Sequence, residues 1–161
     1  MRFNAFFRAA ALGAALLAAG AASAGDIQVA APWSRATAKG ASVGAGYLTI
    51  VNKGSAPDTL VSASTKAAAS VEIHAMSLDN GVMTMRALPD GLEIKPGETV
   101  TFKPGGYHLM LMGLTKPLVQ GENIDLTLNF AKAGPVTVSL PVGAIGATAP
   151  ASGEDPPNIS Y

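Results

Sequence analysis

The chain has 161 residues, no cysteine, and 11 basic residues balanced against 11 acidic ones. The charges are interspersed and form no basic stripe, which argues against a nucleic-acid partner. Without cysteine there is no disulfide, no thiolate metal centre and no attachment point for a lipid thioether.

Arg2 and Arg8 flank a positively charged start, followed by the apolar run Ala9–Ala19 and the small-x-small triplet Ala22-Ser23-Ala24. This reads as a cleaved secretory signal over residues 1–24, the apolar run being too short to span a bilayer. The mature chain from Gly25 then carries 9 basic against 11 acidic residues, a net charge of −2. An exported chain that inserts no segment stably into the membrane must fold on its apolar core alone.

Short β-rich runs then alternate with Gly, Pro, Asn and Asp. The expected strands are Ile27–Ala30, Gly44–Asn52, Thr59–Ser64, Ser70–Met76, Val82–Leu88, Leu92–Ile94, Thr99–Lys103, Tyr107–Gly113, Ile124–Phe130 and Val136–Val142. No helical period is sustained after residue 25. So many short, evenly spaced strands predict an all-β Greek-key sandwich or barrel over residues 25–142. Residues 143–161 are rich in Gly, Ala and Pro, offer little to bury, and read as a disordered tail.

Both histidines and five of the six methionines fall between His74 and Met112. Asn80-Gly81 is a strong signal for a two-residue hairpin. It pairs Met76 with Met85, places His74 diagonally from Met85, and puts His74, Met76, Met83 and Met85 on one face. Cβ atoms of a direct pair lie roughly 5 Å apart and those of a diagonal pair roughly 7 Å. In Tyr107–Met112, His108, Met110 and Met112 share a face, with Gly105-Gly106 before them to bend the chain. Imidazole and thioether donors without thiolate favour Cu(I). The two strand pairs brought together would offer a His₂Met₂ site. Taken singly, Met83 and Met112 read as core packing, Met76 as intermediate and Trp33 as a core anchor. Glu72 shares the face of His74 and reads either as an acceptor that orients its imidazole or, by default, as a plain solvent-exposed group; Tyr107 and Arg86 point away from that face.

The spacing His74-x10-Met85-x22-His108-x-Met110 resembles the motif of the periplasmic copper chaperone family that serves the CuA centre of cytochrome c oxidase (PCuAC). The flanking runs Ala31–Ala36, Gly46–Thr49, Val71–His74, Gly81–Arg86 and Pro104–Leu114 agree, and the likeness covers roughly Ile27 to Leu140. The gap before His108 is one residue longer than the usual family spacing, and the turn-rich stretch Pro89–Pro104 can absorb it. The resemblance implies a cupredoxin-like fold and one Cu(I) per domain, held by His74, Met85, His108 and Met110. It also implies a periplasmic location and an acceptor: oxidase subunit II, directly or through a thioredoxin-fold assembly protein. The tail has no His or Met, so no second copper site is expected there.

No paired carboxylates, nucleophile elbow or Ser/His/Asp constellation points to an enzyme. A blue-copper carrier would need a cysteine thiolate. Two other readings stand beside the chaperone: a copper-sequestering protein without a dedicated client, and a metal-free β-sandwich interaction module.

Overall fold

The computed structural model describes residues 25–151. The expected signal over 1–24 and the end of the expected tail, 152–161, lie outside the described residues. Ten strands occur: β1 (Ile27–Arg35), β2 (Val43–Asn52), β3 (Asp58–Ser64), β4 (Ala68–Asp79), β5 (Val82–Ala87), β6 (Leu92–Ile94), β7 (Thr99–Thr101), β8 (His108–Leu114), β9 (Asn123–Phe130) and β10 (Gly134–Gly143). There is no helix among the described residues.

Seven strands close into a barrel in the order β4-β8-β2-β1-β10-β9-β3, and Ala63 pairs Val71 to bring β3 back to β4. The pairings are antiparallel except β1 with β10, which run parallel through Ser34↔Val142 and Arg35↔Gly143. Outside the ring, β5 extends from β4, β6 from β3 and β7 from β2. Strands distant in sequence lie side by side, as in a Greek key, so the expected all-β, cupredoxin-like class holds.

Strand alternation builds the interior. Ile124, Leu126, Leu128 and Phe130 of β9 point inward and are buried, with polar residues between them. Leu48 and Ile50 of β2, Ile73 of β4, and Leu109 and Leu111 of β8 join the same cluster. Each strand of this kind therefore turns its alternate residues outward.

Two strands run three or more residues past an expected end. β1 continues past its expected end at Ala30 through a β-bulge. Ala31 takes φ +46°, the β1–β2 register shifts between Ala30 and Trp33, and pairing resumes at Trp33↔Tyr47. β4 continues past Met76 to Asp79 because the hairpin with β5 is longer than the alternation alone implies. Its turn is as expected: Asn80 and Gly81 both have positive φ (50° and 80°), and Asp79 pairs Val82. β7 is shorter than expected, and Phe102 instead bridges to Tyr107.

Trp33 is buried, as a core anchor would be, but it lies outside the interior cluster. It packs on Tyr47 with ring centroids 4.6 Å apart, on the outer side of the barrel. The Arg35 guanidinium sits 5.4 Å from the Tyr47 ring centre, and its Nε donates to the carbonyl of Ala147, tying the chain after β10 to β1.

Asp58 anchors a corner. Its carboxylate accepts from the backbone N–H groups of Thr59, Lys132 and Ala133 at 2.8, 2.8 and 2.9 Å, so the β9–β10 turn hangs on one buried side chain. Asp58→Ala strands those donors and is expected to lower unfolding free energy by about 3 kcal/mol, with a smaller loss for Asp58→Asn. Denaturant midpoints at constant slope check both.

Burial raises the Tyr47 phenol above its usual 10.0, partly opposed by the Arg35 charge. The folded state thus holds that proton more tightly than the unfolded chain. The resulting stability is present below pH 10 and lost as pH rises through the folded value. Melting temperature should fall on the alkaline side of pH 10, and Tyr47→Phe should flatten that fall.

Candidate metal centre

The site begins with one register. β4 and β8 pair so that Ile73 faces Leu109 inside the barrel. The next residues along must point outward, and they are His74 and His108, directly opposite each other. Their ring centroids lie 5.4 Å apart at 56°. Although they stand on the outer face, the two residues are only 7 % and 8 % exposed.

Each ring is held through one nitrogen by a group that can only accept. Glu72 Oε2 lies 2.8 Å from His74 Nε2. The Gly106 carbonyl lies 3.1 Å from His108 Nδ1. With a carboxylate and a carbonyl as partners, the neutral rings carry their protons on His74 Nε2 and His108 Nδ1. That leaves lone pairs on His74 Nδ1 and His108 Nε2. His74 Nδ1 is buried and has no hydrogen-bond partner. A buried polar atom of this kind normally has a partner, and a metal ion is one that fits. Acceptors that fix tautomer and ring orientation are the usual support for metal-bound histidine.

The thioethers share the outer face. Met85 lies opposite Met76 and two residues along from the His74↔Ala87 pair, which makes it diagonal to His74 as the hairpin predicts. It is 50 % exposed. Met110 follows His108 by two residues, half-buried, with Glu72 opposite on β4 and Ala45 on β2. Met112 lies opposite Ser70 and Val43, half-buried on the same face. The four expected ligands therefore stand on one continuous three-strand surface, β5-β4-β8. They are neighbours within a single sheet, where the sequence suggested two strand pairs folding together.

Two readings of core packing change: Met83 is 51 % exposed opposite Leu78, and Met112 stands on the outer face outside the interior cluster. Of the two readings of Glu72, the structure shows the acceptor: it holds the His74 imidazole while its side chain stays about half exposed, and the i, i+2 spacing that puts both on one face was the signal. The Gly105-Gly106 bend acts on His108 through a carbonyl, which spacing alone does not reveal. Arg86 pairs Ala75 on the other face of the hairpin, and Tyr107 packs on Phe102 with centroids 5.8 Å apart; both point away from the histidines, as expected.

Among the described residues, no three His, Cys, Asp or Glu side chains converge on a common point. Zinc sites are commonly built from such a set. The donors that can complete this site are thioethers, which suit a soft ion.

The sequence model of the family "Putative lipoprotein LpqE-like" matches residues 27–142, the whole barrel from β1 to β10. The chain belongs to the LpqE-like family.

This LpqE-like chain is 36% identical over 116 residues to "Putative lipoprotein Lxx21020" of Leifsonia xyli subsp. xyli, covering 72% of this chain and 69% of that one. Among solved structures it resembles the copper-bound PCuAC domain of PmoF2, with TM-score 0.63 and 31% identity over 74% of this chain and 94% of that one. It also resembles Cu(I)-loaded DR1885 of Deinococcus radiodurans, with TM-score 0.61 and 31% identity over 73% and 78% of the two chains. The LpqE-like barrel thus shares its fold with copper-binding domains.

The tautomers of the metal-free LpqE-like domain are open to direct measurement. With both rings neutral, long-range ¹H–¹⁵N spectra should show the unprotonated nitrogen as Nδ1 in His74 and Nε2 in His108. Glu72→Ala should abolish that fixed assignment for His74 alone.

Proposed function

We propose that this protein is an exported copper chaperone that carries one Cu(I) per domain and is not an enzyme. The ligands are His74 Nδ1, His108 Nε2 and the sulfurs of Met85 and Met110. The observation that carries the reading is the paired histidines, each held by an acceptor on one nitrogen, with the thioethers of Met85 and Met110 on the same outer face. The copper-bound relatives of the same fold support it.

The chemistry of release follows from the donor set. Thioether and imidazole are neutral and hold Cu(I) less tightly than thiolates. A cysteine-bearing acceptor can therefore take the ion by replacing one donor at a time, with no change in oxidation state. The half-exposed Met85 is the donor such an acceptor meets first, which favours delivery over closed storage. In this reading the compartment is the periplasm, reached through the signal over residues 1–24. The acceptor is the CuA site of cytochrome c oxidase subunit II, directly or through a thioredoxin-fold assembly protein.

Titration of the reduced protein with Cu(I) should reach unit stoichiometry. His108→Ala should abolish it and Met85→Leu should weaken it. Glu72→Ala should cost about 10- to 100-fold in affinity by releasing the His74 ring. No uptake by the wild type, or uptake indifferent to His108, overturns the site. For the client, deletion under copper limitation should lower oxidase activity in a way that added copper rescues; copper sensitivity without that loss would point to sequestration.

A further inference from the structure

The hairpin β4–β5 continues beyond the histidine pair with two unlike faces. On one face Ser77, Asp79 and Thr84 bond to one another: Ser77 Oγ to Thr84 Oγ1 at 2.9 Å, and both hydroxyls to Asp79 Oδ2 at 3.2 and 3.1 Å. This network clamps the two strands near the turn. The opposite face carries Met76 directly across from Met85, and Met83 diagonal to Met76 across from Leu78. Met83 and Met85 are each about half exposed, at 51 % and 50 %. These side chains pack no core, and that face of the hairpin bears no charged residue from Met76 to Leu78 or from Met83 to Met85.

Three thioethers on a clamped, uncharged surface are a soft-metal ligand set in their own right. Direct and diagonal cross-strand neighbours lie roughly 5 and 7–8 Å apart at the backbone, within the span of two flexible Met side chains around one ion. Met85 belongs both to this set and to the histidine site.

We propose that Met76, Met83 and Met85 form a second, weaker Cu(I) position at the exposed end of the hairpin, through which the ion enters and leaves the histidine site. The step is a ligand exchange. Copper keeps its bond to Met85, bonds to Met76 and Met83 form, and those to His74, His108 and Met110 break. Copper remains monovalent, no proton moves, and the imidazole lone pairs are left as they were. The proposal rests on the histidine site of the preceding reading and adds the route to it.

Ag(I), a redox-silent stand-in for Cu(I), and methionines labelled at the ε-methyl carbon test it in the otherwise intact chain. In the His74→Ala/His108→Ala variant, Ag(I) should still bind, more weakly than to the wild type, with the Met76, Met83 and Met85 methyl signals shifting together. Adding Met76→Leu and Met83→Leu should remove that binding. In the wild type, the same two leucine substitutions lie on an exposed surface and should leave the affinity of the histidine site unchanged while slowing transfer to a soluble Cu(I) chelator. Wild-type uptake that depends on His108, with silent Met76 and Met83 methyls in the double-histidine variant and unaltered transfer after the leucine changes, overturns this proposal alone. Failure of the wild type to bind Cu(I) or Ag(I) overturns both.

Discussion

The inward packing of Ile73 against Leu109 is the constraint on which the candidate site depends. Two buried apolar side chains from β4 and β8 meet in the barrel interior and set the register of that strand pair. Slipping it by one residue would turn the apolar set outward and the histidines into the core, so the register is strongly specified. Given that register, His74 and His108 have no freedom to be elsewhere. They are adjacent because hydrophobic burial one residue away makes them so.

That placement has a cost. A buried nitrogen without a partner is unfavourable by about 1–3 kcal/mol, and His74 Nδ1 is in that state. The ring cannot relieve it by turning, because Glu72 holds the other nitrogen. On the far side of the pair, the Gly106 carbonyl holds His108 in the complementary sense. The site is thereby arranged before any ion arrives, and binding need not spend free energy on orienting two imidazoles. The thioethers are different. Met85 is half exposed and flexible, so rigid nitrogens and mobile sulfurs meet on one surface. That combination suits a site that must both hold and release.

The hairpin that carries Met85 owes little to the core, since every residue of β5 is exposed. Its order comes from the two-residue turn at Asn80-Gly81 and the side-chain network on its polar face. The barrel and the hairpin therefore play distinct parts: one secures the histidines through apolar packing, the other presents sulfur to solvent through local hydrogen bonds.

Much of this was legible in the amino-acid order. Strand positions followed from alternation and punctuation. The hairpin register followed from Asn80-Gly81, and the common face of His74, Met76, Met83 and Met85 from a side-chain period of two. These are local properties, set by backbone sterics within a few residues. The bulge at Ala31 was not legible, since only the pairing of Trp33 with Tyr47 carries β1 onward. Nor was the outward placement of Trp33, nor the exposure of Met83, because an apolar side chain does not state which side of a sheet is covered. The neighbouring of β4 and β8 and the facing of His74 and His108 across them were decided by tertiary structure alone. They depend on which distant strands pair, and that is settled by the packing of the whole interior and not by any single segment.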